Sequence, residues 1–202
     1  MDTQNIIIAI IGGYLLGSVP FGLLITKLAG LGDIRQIGSG NIGATNVLRT
    51  GRKDLALATL LLDSGKGALA VLFAKLYITV DVQAYAGMAA FIGHCYPIYL
   101  KFKGGKGVAT FLGTAMAIKF PVGVVIIITW LLAAFVSKMS SLAALIAAIA
   151  GTIAAVYYAS PGIWVLLAIM TLFIFIRHKG NIRRILKGEE PKIGEKTDKK
   201  DQ

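Results

Sequence analysis

Three stretches of this 202-residue chain set glycines, hydroxyls and amides beside isolated basic residues, a combination suited to holding oxyanions. The first runs Gly38-Ser39-Gly40-Asn41-Ile42-Gly43-Ala44-Thr45-Asn46-Val47-Leu48-Arg49. Such a backbone folds tightly against an anion, and Arg49 adds a charge able to bind it in bidentate fashion. Ser39, Asn41, Thr45 and Asn46 are the candidate contacts. Gly38, Gly40 and Gly43 form a GxGxxG, but no strand precedes them and no alternating strand–helix unit surrounds them, so the dinucleotide reading fails. An ordinary flexible loop would not need so many hydrogen-bonding side chains beside one arginine.

The second stretch, Phe102-Lys103-Gly104-Gly105-Lys106-Gly107-Val108-Ala109-Thr110, stands directly before an apolar run. Gly104, Gly105 and Gly107 around Lys106 offer backbone N–H groups and a helix N-terminus to a phosphate. No Ser or Thr follows the lysine and the upstream glycine is missing, so this is not the Walker loop of nucleotide hydrolases. The third stretch is Arg177-His178-Lys179-Gly180-Asn181-Ile182-Arg183-Arg184. His178 and Asn181 are three apart and share a face if the helix continues; the intervening basic residues can then point to lipid headgroups. Ser140 and Ser141 sit where an N-cap and another anion-facing helix end are expected.

The elements that carry these stretches are apolar. The chain is 56% hydrophobic and 15% charged, against about 25% charged in soluble domains, so an all-α integral membrane protein is expected rather than a soluble fold. Apolar runs predict about seven transmembrane helices, at 6–28, 55–80, 84–100, 108–118, 121–136, 142–158 and 162–176. The fourth and fifth could be one bent span, but a lysine at mid-bilayer costs about 3 kcal/mol, whereas a turn at Lys119 with Pro121 opening the next helix is cheap. With the N-terminus outside and the C-terminus cytoplasmic, seventeen Lys and Arg fall on the inner face and only Lys119 on the outer, leaving Lys27, Lys66 and Lys75 within helices. All the glycine-bearing stretches then meet at the cytoplasmic face of a multi-pass protein of the inner (plasma) membrane. Residues 1–180 read as the membrane domain and 181–202 as a basic, polar cytoplasmic tail. The first five residues carry no Lys or Arg, so no cleavable signal peptide is expected and the first apolar run stays as a helix.

The net charge of +11 does not imply a nucleic-acid partner, because the basic residues lie between apolar runs and in the tail, where orientation and anionic lipid explain them. Cys95 is the single cysteine, so no intrachain disulfide forms, and it reads as packing. No His, Cys or carboxylate cluster has metal-ligand spacing, and neither a metal nor a cofactor is expected. Asp63, Lys66 and His94 are ionisable residues within predicted helices and therefore candidates for a role. Asp63 and Lys66 read either as an internal ion pair fixing the second helix or as support beneath the loops. A phosphate-binding face at membrane depth fits acyl or phosphoryl transfer. The HxxxxD dyad of many glycerolipid acyltransferases is absent, since Tyr99 stands five residues after His94 and Arg183 five after His178.

Taken in order among about seven helices, GSGNIGATNVLR (38–49), HCYPIYLKFKGGKGVAT (94–110) and HKGNI (178–182) resemble the bacterial acyl-phosphate:glycerol-3-phosphate acyltransferase family over nearly the whole chain. The resemblance implies transfer of a fatty acyl group from acyl phosphate to the 1-hydroxyl of sn-glycerol 3-phosphate, the first acylation of phospholipid synthesis, without acyl-CoA or a metal. It implies that Ser39, Arg49, Lys106, His178 and Asn181 hold glycerol 3-phosphate and the reacting centre, and that Thr45, Gly104, Gly105 and Ser141 meet the acyl-phosphate headgroup. Asn41, Asn46, Gly107 and Ser140 complete the substrate-binding set. Implied partners are acyl phosphate, sn-glycerol 3-phosphate, membrane lipid and the soluble enzyme that supplies acyl phosphate. His178 is expected to donate a hydrogen bond or orient the substrate, with a substrate phosphate oxygen taking the hydroxyl proton. The competing class is a carrier of a small phosphate ester or anion, against which stand the lack of an inverted internal repeat and of matching polar sites on the outer face.

Overall fold

The computed structural model describes residues 2–195, and these are helical without any β-strand. The last seven residues of the expected tail, 196–202, lie outside the described residues. Ten α-helices follow one another: α1 (Thr3–Gly17), α2 (Phe21–Leu28), α3 (Ala44–Leu48), α4 (Lys53–Tyr77), α5 (Gln83–Cys95), α6 (Val108–Ile118), α7 (Phe120–Ser137), α8 (Ser140–Tyr158), α9 (Pro161–Arg177) and α10 (Lys179–Lys187).

Four units are long and apolar enough to cross a membrane, namely α1 with α2 over 26 residues, α4 over 25, α7 over 18 and α8 over 19. A fifth is added when α9 and α10, bent by 61° about His178, are taken together. The chain is thus a multi-pass membrane protein. By their rise, α5 and α6 extend only about 20 and 17 Å, short of the ~30 Å hydrocarbon core. The expected helix at 84–100 stops at Cys95 and continues, past Pro97, as a short 3-10 turn over Ile98–Leu100. Likewise, the first run is broken at 18–20, where Pro20 lacks an N–H to extend the ladder. The turn between the fourth and fifth runs falls where sequence places it. Lys119 is extended, with φ −148°, and Pro121 sits in the first turn of α7, where its missing N–H is harmless.

Apolar attraction between helices is weak in lipid, so close backbone packing has to hold the bundle. On α1, Gly13 and Gly17 lie against the backbone of Ala86 and Ala90 of α5, so that a Cβ would stand 2.4 and 2.0 Å from their carbonyl oxygens. α4 and α6 meet through reciprocal small residues, Gly67 against the Thr110 carbonyl and Gly113 against that of Ser64. Gly113→Ala would put a Cβ 1.9 Å from the Ser64 oxygen, forcing the helices apart. We expect it to cost about 1–3 kcal/mol, read as a lower unfolding temperature of the purified protein in detergent. Where α5, α6, α7, α8 and α9 pack together, a core of Phe91, Phe111, Ile126, Leu145, Met170 and Ile174 lies beneath the glycine-bearing loops.

The chain beyond α9 does not separate at residue 180. That position falls inside α10, whose Ile182 and Ile185 pack on the main core. Gly188, left-handed at φ 72°, ends the helix, and the Ile193 N–H donates to the Lys138 carbonyl at 2.7 Å, tying the following residues to the α7–α8 turn.

Candidate active site

The first glycine stretch is organised around one buried side chain. The Asn46 amide donates to the carbonyls of Ile34, Ile37 and Asn41 at 2.9, 2.9 and 2.8 Å, while its Oδ1 accepts from the Ser39 N–H at 3.1 Å and the Ser39 hydroxyl at 3.3 Å. Asn46 therefore shapes the loop and has little capacity left for a ligand. Gly38, at φ +55°, is crowded by the Arg49 guanidinium and Asn46 Oδ1, each within 2.7 Å of where a Cβ would be. Ser39 is exposed and Asn41 half-buried beside it. The stretch ends in a single-turn helix, α3, and the Thr45 hydroxyl lies 2.9 Å from that of Ser140, joining this loop to the start of α8.

Ser140 and Ser141 are the first helical residues of α8, and the cap is Met139, so neither plays the N-cap role expected of them. Their hydroxyls reach sideways instead, Ser140 to Thr45 and Ser141 to the Glu190 carboxylate at 2.6 Å.

In the second stretch, the Gly104 and Gly105 N–H groups donate to the carbonyls of Cys95 and His94 at the end of α5, at 3.2 and 3.0 Å. They are engaged, contrary to the expectation that they are free for phosphate. The N–H groups without a backbone acceptor among the described residues are those of Lys106 to Thr110, at the start of α6. The glycines are needed for space: a Cβ on Gly105 would lie 2.1 Å from His94 Nε2, and one on Gly107, at φ +86°, would lie 2.2 Å from the Phe91 ring. Gly105→Ala is accordingly expected to displace the loop and lower kcat/KM by about a hundredfold, the scale of one misplaced oxyanion donor, in the purified enzyme. Below the loop, Asp63 Oδ1 is 3.0 Å from Lys66 Nζ and 3.6 Å from His94 Nδ1, and Lys66 also donates to the Val19 carbonyl at 2.9 Å. All three side chains are buried. The Asp63–Lys66 pair thus fixes the second long helix and also stands under the loop, through His94.

The third stretch closes over the second. Lys106 Nζ donates to Asn181 Oδ1, and Asn181 Nδ2 donates to Glu190 Oε1 at 2.6 Å. Glu190 also accepts from Arg184 Nε at 2.8 Å. Burial opposes the charge on Glu190, but hydrogen bonds from Ser141 and Asn181 together with Arg184 outweigh it and hold the carboxyl below the usual carboxylate range. Burial, reinforced by Arg184, Arg49 and Arg177, brings the Lys106 ammonium down to about 8. Burial and then Lys106 bring His178 down to about 4, so its imidazole is neutral at pH 7. Its Nδ1 lies 2.8 Å from the Ile174 carbonyl, which only accepts; Nδ1 therefore carries the proton and Nε2 is left as an acceptor, which of the two expected roles, donor or orienter, suits the second. Arg49 makes no hydrogen bond through its guanidinium among the described residues, although Glu190 and Arg184 are near enough to act on its charge. Arg177 donates to the carbonyls of Gly104 and Gly105, at 2.7 and 3.0 Å.

The structure so brings together Arg49, Lys106, Ser141, His178 and Asn181 and holds Ser39 and Thr45 on an adjoining loop. Glu190 and Arg177 were not among the sequence candidates. The one signal for Glu190 is an acidic pair between Gly188 and Pro191 in a basic segment, a pattern with no inherent direction; Arg177 looks like any basic residue at the end of an apolar run.

A multi-pass helical bundle whose one face gathers a lysine, three arginines, free helix N–H groups and a neutral histidine belongs to the class of membrane-integral enzymes acting on phosphorylated substrates. The family model described as glycerol-3-phosphate acyltransferase matches residues 7–188, and the chain belongs to that family of acyltransferases. It is 58% identical over 192 residues to the glycerol-3-phosphate acyltransferase of Paramagnetospirillum magneticum, covering 95% of this chain and 96% of that one. It is 59% identical over 193 residues to that of Caulobacter vibrioides strain NA1000, covering 94% and 88%. The crystal structure of PlsY (YgiH), an integral membrane glycerol 3-phosphate acyltransferase in its glycerol 3-phosphate form, superposes with a TM-score of 0.87 at 36% identity, over 94% of this chain and 96% of that one. Its lysophosphatidic acid form superposes with a TM-score of 0.85 at 35% identity.

Proposed function

We propose that this protein transfers a fatty acyl group from acyl phosphate to the 1-hydroxyl of sn-glycerol 3-phosphate, giving 1-acylglycerol 3-phosphate and inorganic phosphate. The observation that carries this reading is the convergence of Lys106, Arg49 and the unpartnered N–H groups of Lys106 to Thr110 on one face of an apolar bundle. That face suits two phosphate-bearing reactants, one of which brings an alkyl chain. Seven membrane crossings, an outside N-terminus and a cytoplasmic active site at the inner membrane fit the seventeen-to-one distribution of basic residues. On this topology α5 and α6 are short, tilted crossings. Acyl phosphate then arrives from the cytoplasmic leaflet or from the soluble enzyme that makes it.

Acyl phosphate is already activated, so the protein's work is to place two anions together, offset their repulsion and stabilise the carbonyl oxyanion. Arg49, whose guanidinium makes no hydrogen bond to the described residues, takes the phosphate of glycerol 3-phosphate, and Ser39 lies beside it. Lys106 and the N–H groups at the start of α6 take the acyl-phosphate headgroup, with Thr45 and Ser141 alongside. Asn181 holds Lys106 in place, and Glu190 holds Asn181. His178 Nε2 accepts a hydrogen bond from the neighbouring 2-hydroxyl and so orients the substrate, which leaves the 1-hydroxyl proton directed at the phosphate. The hydroxyl oxygen attacks the acyl carbonyl carbon, the bond from that carbon to the phosphate oxygen breaks, and the hydroxyl proton passes to the departing phosphate. A histidine brought down to about 4 is a weak base, which favours the phosphate as acceptor.

This assignment fixes the pH dependence. Lys106 is protonated below about 8 and loses its charge above that, so kcat/KM, which reports the free enzyme, should fall as pH rises through about 8. Lys106→Arg should abolish that alkaline limb. His178→Ala should lower activity at all pH values while leaving the shape between pH 5 and 7 unchanged, because any acidic limb near pH 6 belongs to the substrate phosphate, whose second ionisation lies at about 6. Loss of a limb near neutrality in His178→Ala would instead make His178 the base.

The deciding experiment gives the purified protein in detergent palmitoyl phosphate and glycerol 3-phosphate and follows phosphate and lysophosphatidate. Equal formation of both, with none from acyl-CoA, is expected. No phosphate release, with counterflow of a phosphate ester into liposomes, would point to a carrier.

A further inference from the structure

Arg177 is the cation beside the site that contacts the loop and not the space in front of it. Its Nη2 and Nε donate to the carbonyls of Gly104 and Gly105 at 2.7 and 3.0 Å, and its guanidinium stacks 5.2 Å from the centre of the Tyr96 ring. Every peptide bond among the described residues is trans, so each carbonyl points opposite to the N–H of the next residue. Fixing the Gly104 carbonyl on Arg177 therefore sends the Gly105 N–H the other way, where the His94 carbonyl accepts it at 3.0 Å. That peptide is held at both ends. The next one is not: its carbonyl, from Gly105, is bound by Arg177, but its N–H, from Lys106, has no backbone partner among the described residues. Among the described residues, the Arg177 guanidinium is the hydrogen-bond partner that holds this peptide.

The peptide follows a glycine, which lacks the Cβ that would restrict its rotation. Gly105 cannot be replaced without striking His94, since a Cβ would lie 2.1 Å from the ring. The position is consequently both obligatory and loose. A flipped peptide would turn a carbonyl oxygen, not an N–H, toward an incoming phosphate or oxyanion, exchanging attraction for repulsion.

We infer that Arg177 is a positioning residue for acyl transfer: by gripping the Gly104 and Gly105 carbonyls it keeps the Lys106 N–H aimed at the acyl-phosphate headgroup. It stands immediately before His178, so the same turn that presents the histidine also locks the loop facing it. The inference rests on the reading that this loop receives acyl phosphate.

Kinetics of Arg177→Ala and Arg177→Lys test it, with kcat and KM measured separately for palmitoyl phosphate and glycerol 3-phosphate. Removing one preorganised donor costs about 10²- to 10³-fold. Arg177→Ala should lower kcat/KM for palmitoyl phosphate on that scale while the KM for glycerol 3-phosphate moves less than about threefold. Arg177→Lys should recover no more than about a tenth of the wild-type value, because a point charge does not reproduce a planar fork bridging two carbonyls. If Arg177→Ala fails to give monodisperse protein, Arg177→Lys, which keeps most of the volume, decides by the same criteria. Full recovery by lysine, or an equal rise in KM for both substrates, would make Arg177 a general electrostatic attractor and overturn the inference. So would wild-type kinetics in Arg177→Ala; if Lys106→Met is at the same time inactive, the site reading survives without it. A rise confined to the KM for glycerol 3-phosphate overturns the inference by placing the wrong substrate on the loop.

Discussion

Replacing Lys106 by methionine should lower kcat/KM by about a thousandfold or more while the protein still folds. Methionine keeps the length and most of the volume of the stem, so packing against the loop is preserved. What disappears is a partly buried ammonium, held on Asn181 Oδ1, placed to neutralise the departing phosphate as the bond to the acyl carbon breaks. An interaction that strengthens as charge moves onto the leaving group acts on the transition state and so appears in kcat. Removing one such donor typically costs about 10²- to 10³-fold, and the two interacting anions add their mutual repulsion here. Lys106→Arg should retain part of the activity, because the charge remains but the guanidinium does not fit the Asn181 carbonyl as a point donor does. Retention of more than about a tenth of wild-type kcat/KM by Lys106→Met would remove Lys106 from the chemistry.

Arg49→Ala should act on the other substrate. Its guanidinium is half-buried against the Gly38 backbone and makes no hydrogen bond to the described residues. The flanking arginines are committed, Arg177 to two carbonyls and Arg184 to Glu190. An uncommitted, pre-placed fork fits a phosphate bidentately. A hydrogen bond to a charged group contributes about 1.5–3 kcal/mol, so the KM for glycerol 3-phosphate should rise about 10- to 100-fold with a smaller change for palmitoyl phosphate. Arg49→Lys should recover less than half of that in free-energy terms, since lysine binds phosphate at a point. Steady-state titration of each substrate against saturating partner separates these cases. An effect confined to palmitoyl phosphate would exchange the roles given to Arg49 and Lys106.

Much of this was legible in sequence because it depends on local pattern. The apolar runs, the break at Lys119 and the glycine stretches each announce themselves within a dozen residues. The roles of the glycines were harder, because a glycine signals either free N–H groups or a need for space, and only the approach of the His94 ring to Gly105 separates the two. Ser140 and Ser141 looked like caps because they begin a helix, but the cap fell one residue earlier and freed their hydroxyls for Thr45 and Glu190. Glu190 and Arg177 were invisible for a different reason. Each acts on a partner from a distant segment of the chain, Glu190 on Ser141 49 residues away and Arg177 on Gly105 72 residues away, and no local periodicity encodes where a long side chain points in the folded bundle.

The central claim, that the bond between the acyl carbon and the phosphate oxygen breaks under attack by the glycerol hydroxyl, is tested most directly by isotope. Palmitoyl phosphate carrying oxygen-18 in its bridging position is turned over with glycerol 3-phosphate, and the released phosphate and lysophosphatidate are weighed by mass spectrometry. One labelled oxygen in every phosphate, none in the lipid, and one lipid per phosphate is the predicted result. Label left on the acyl group, or phosphate released at the same rate without glycerol 3-phosphate, would contradict it.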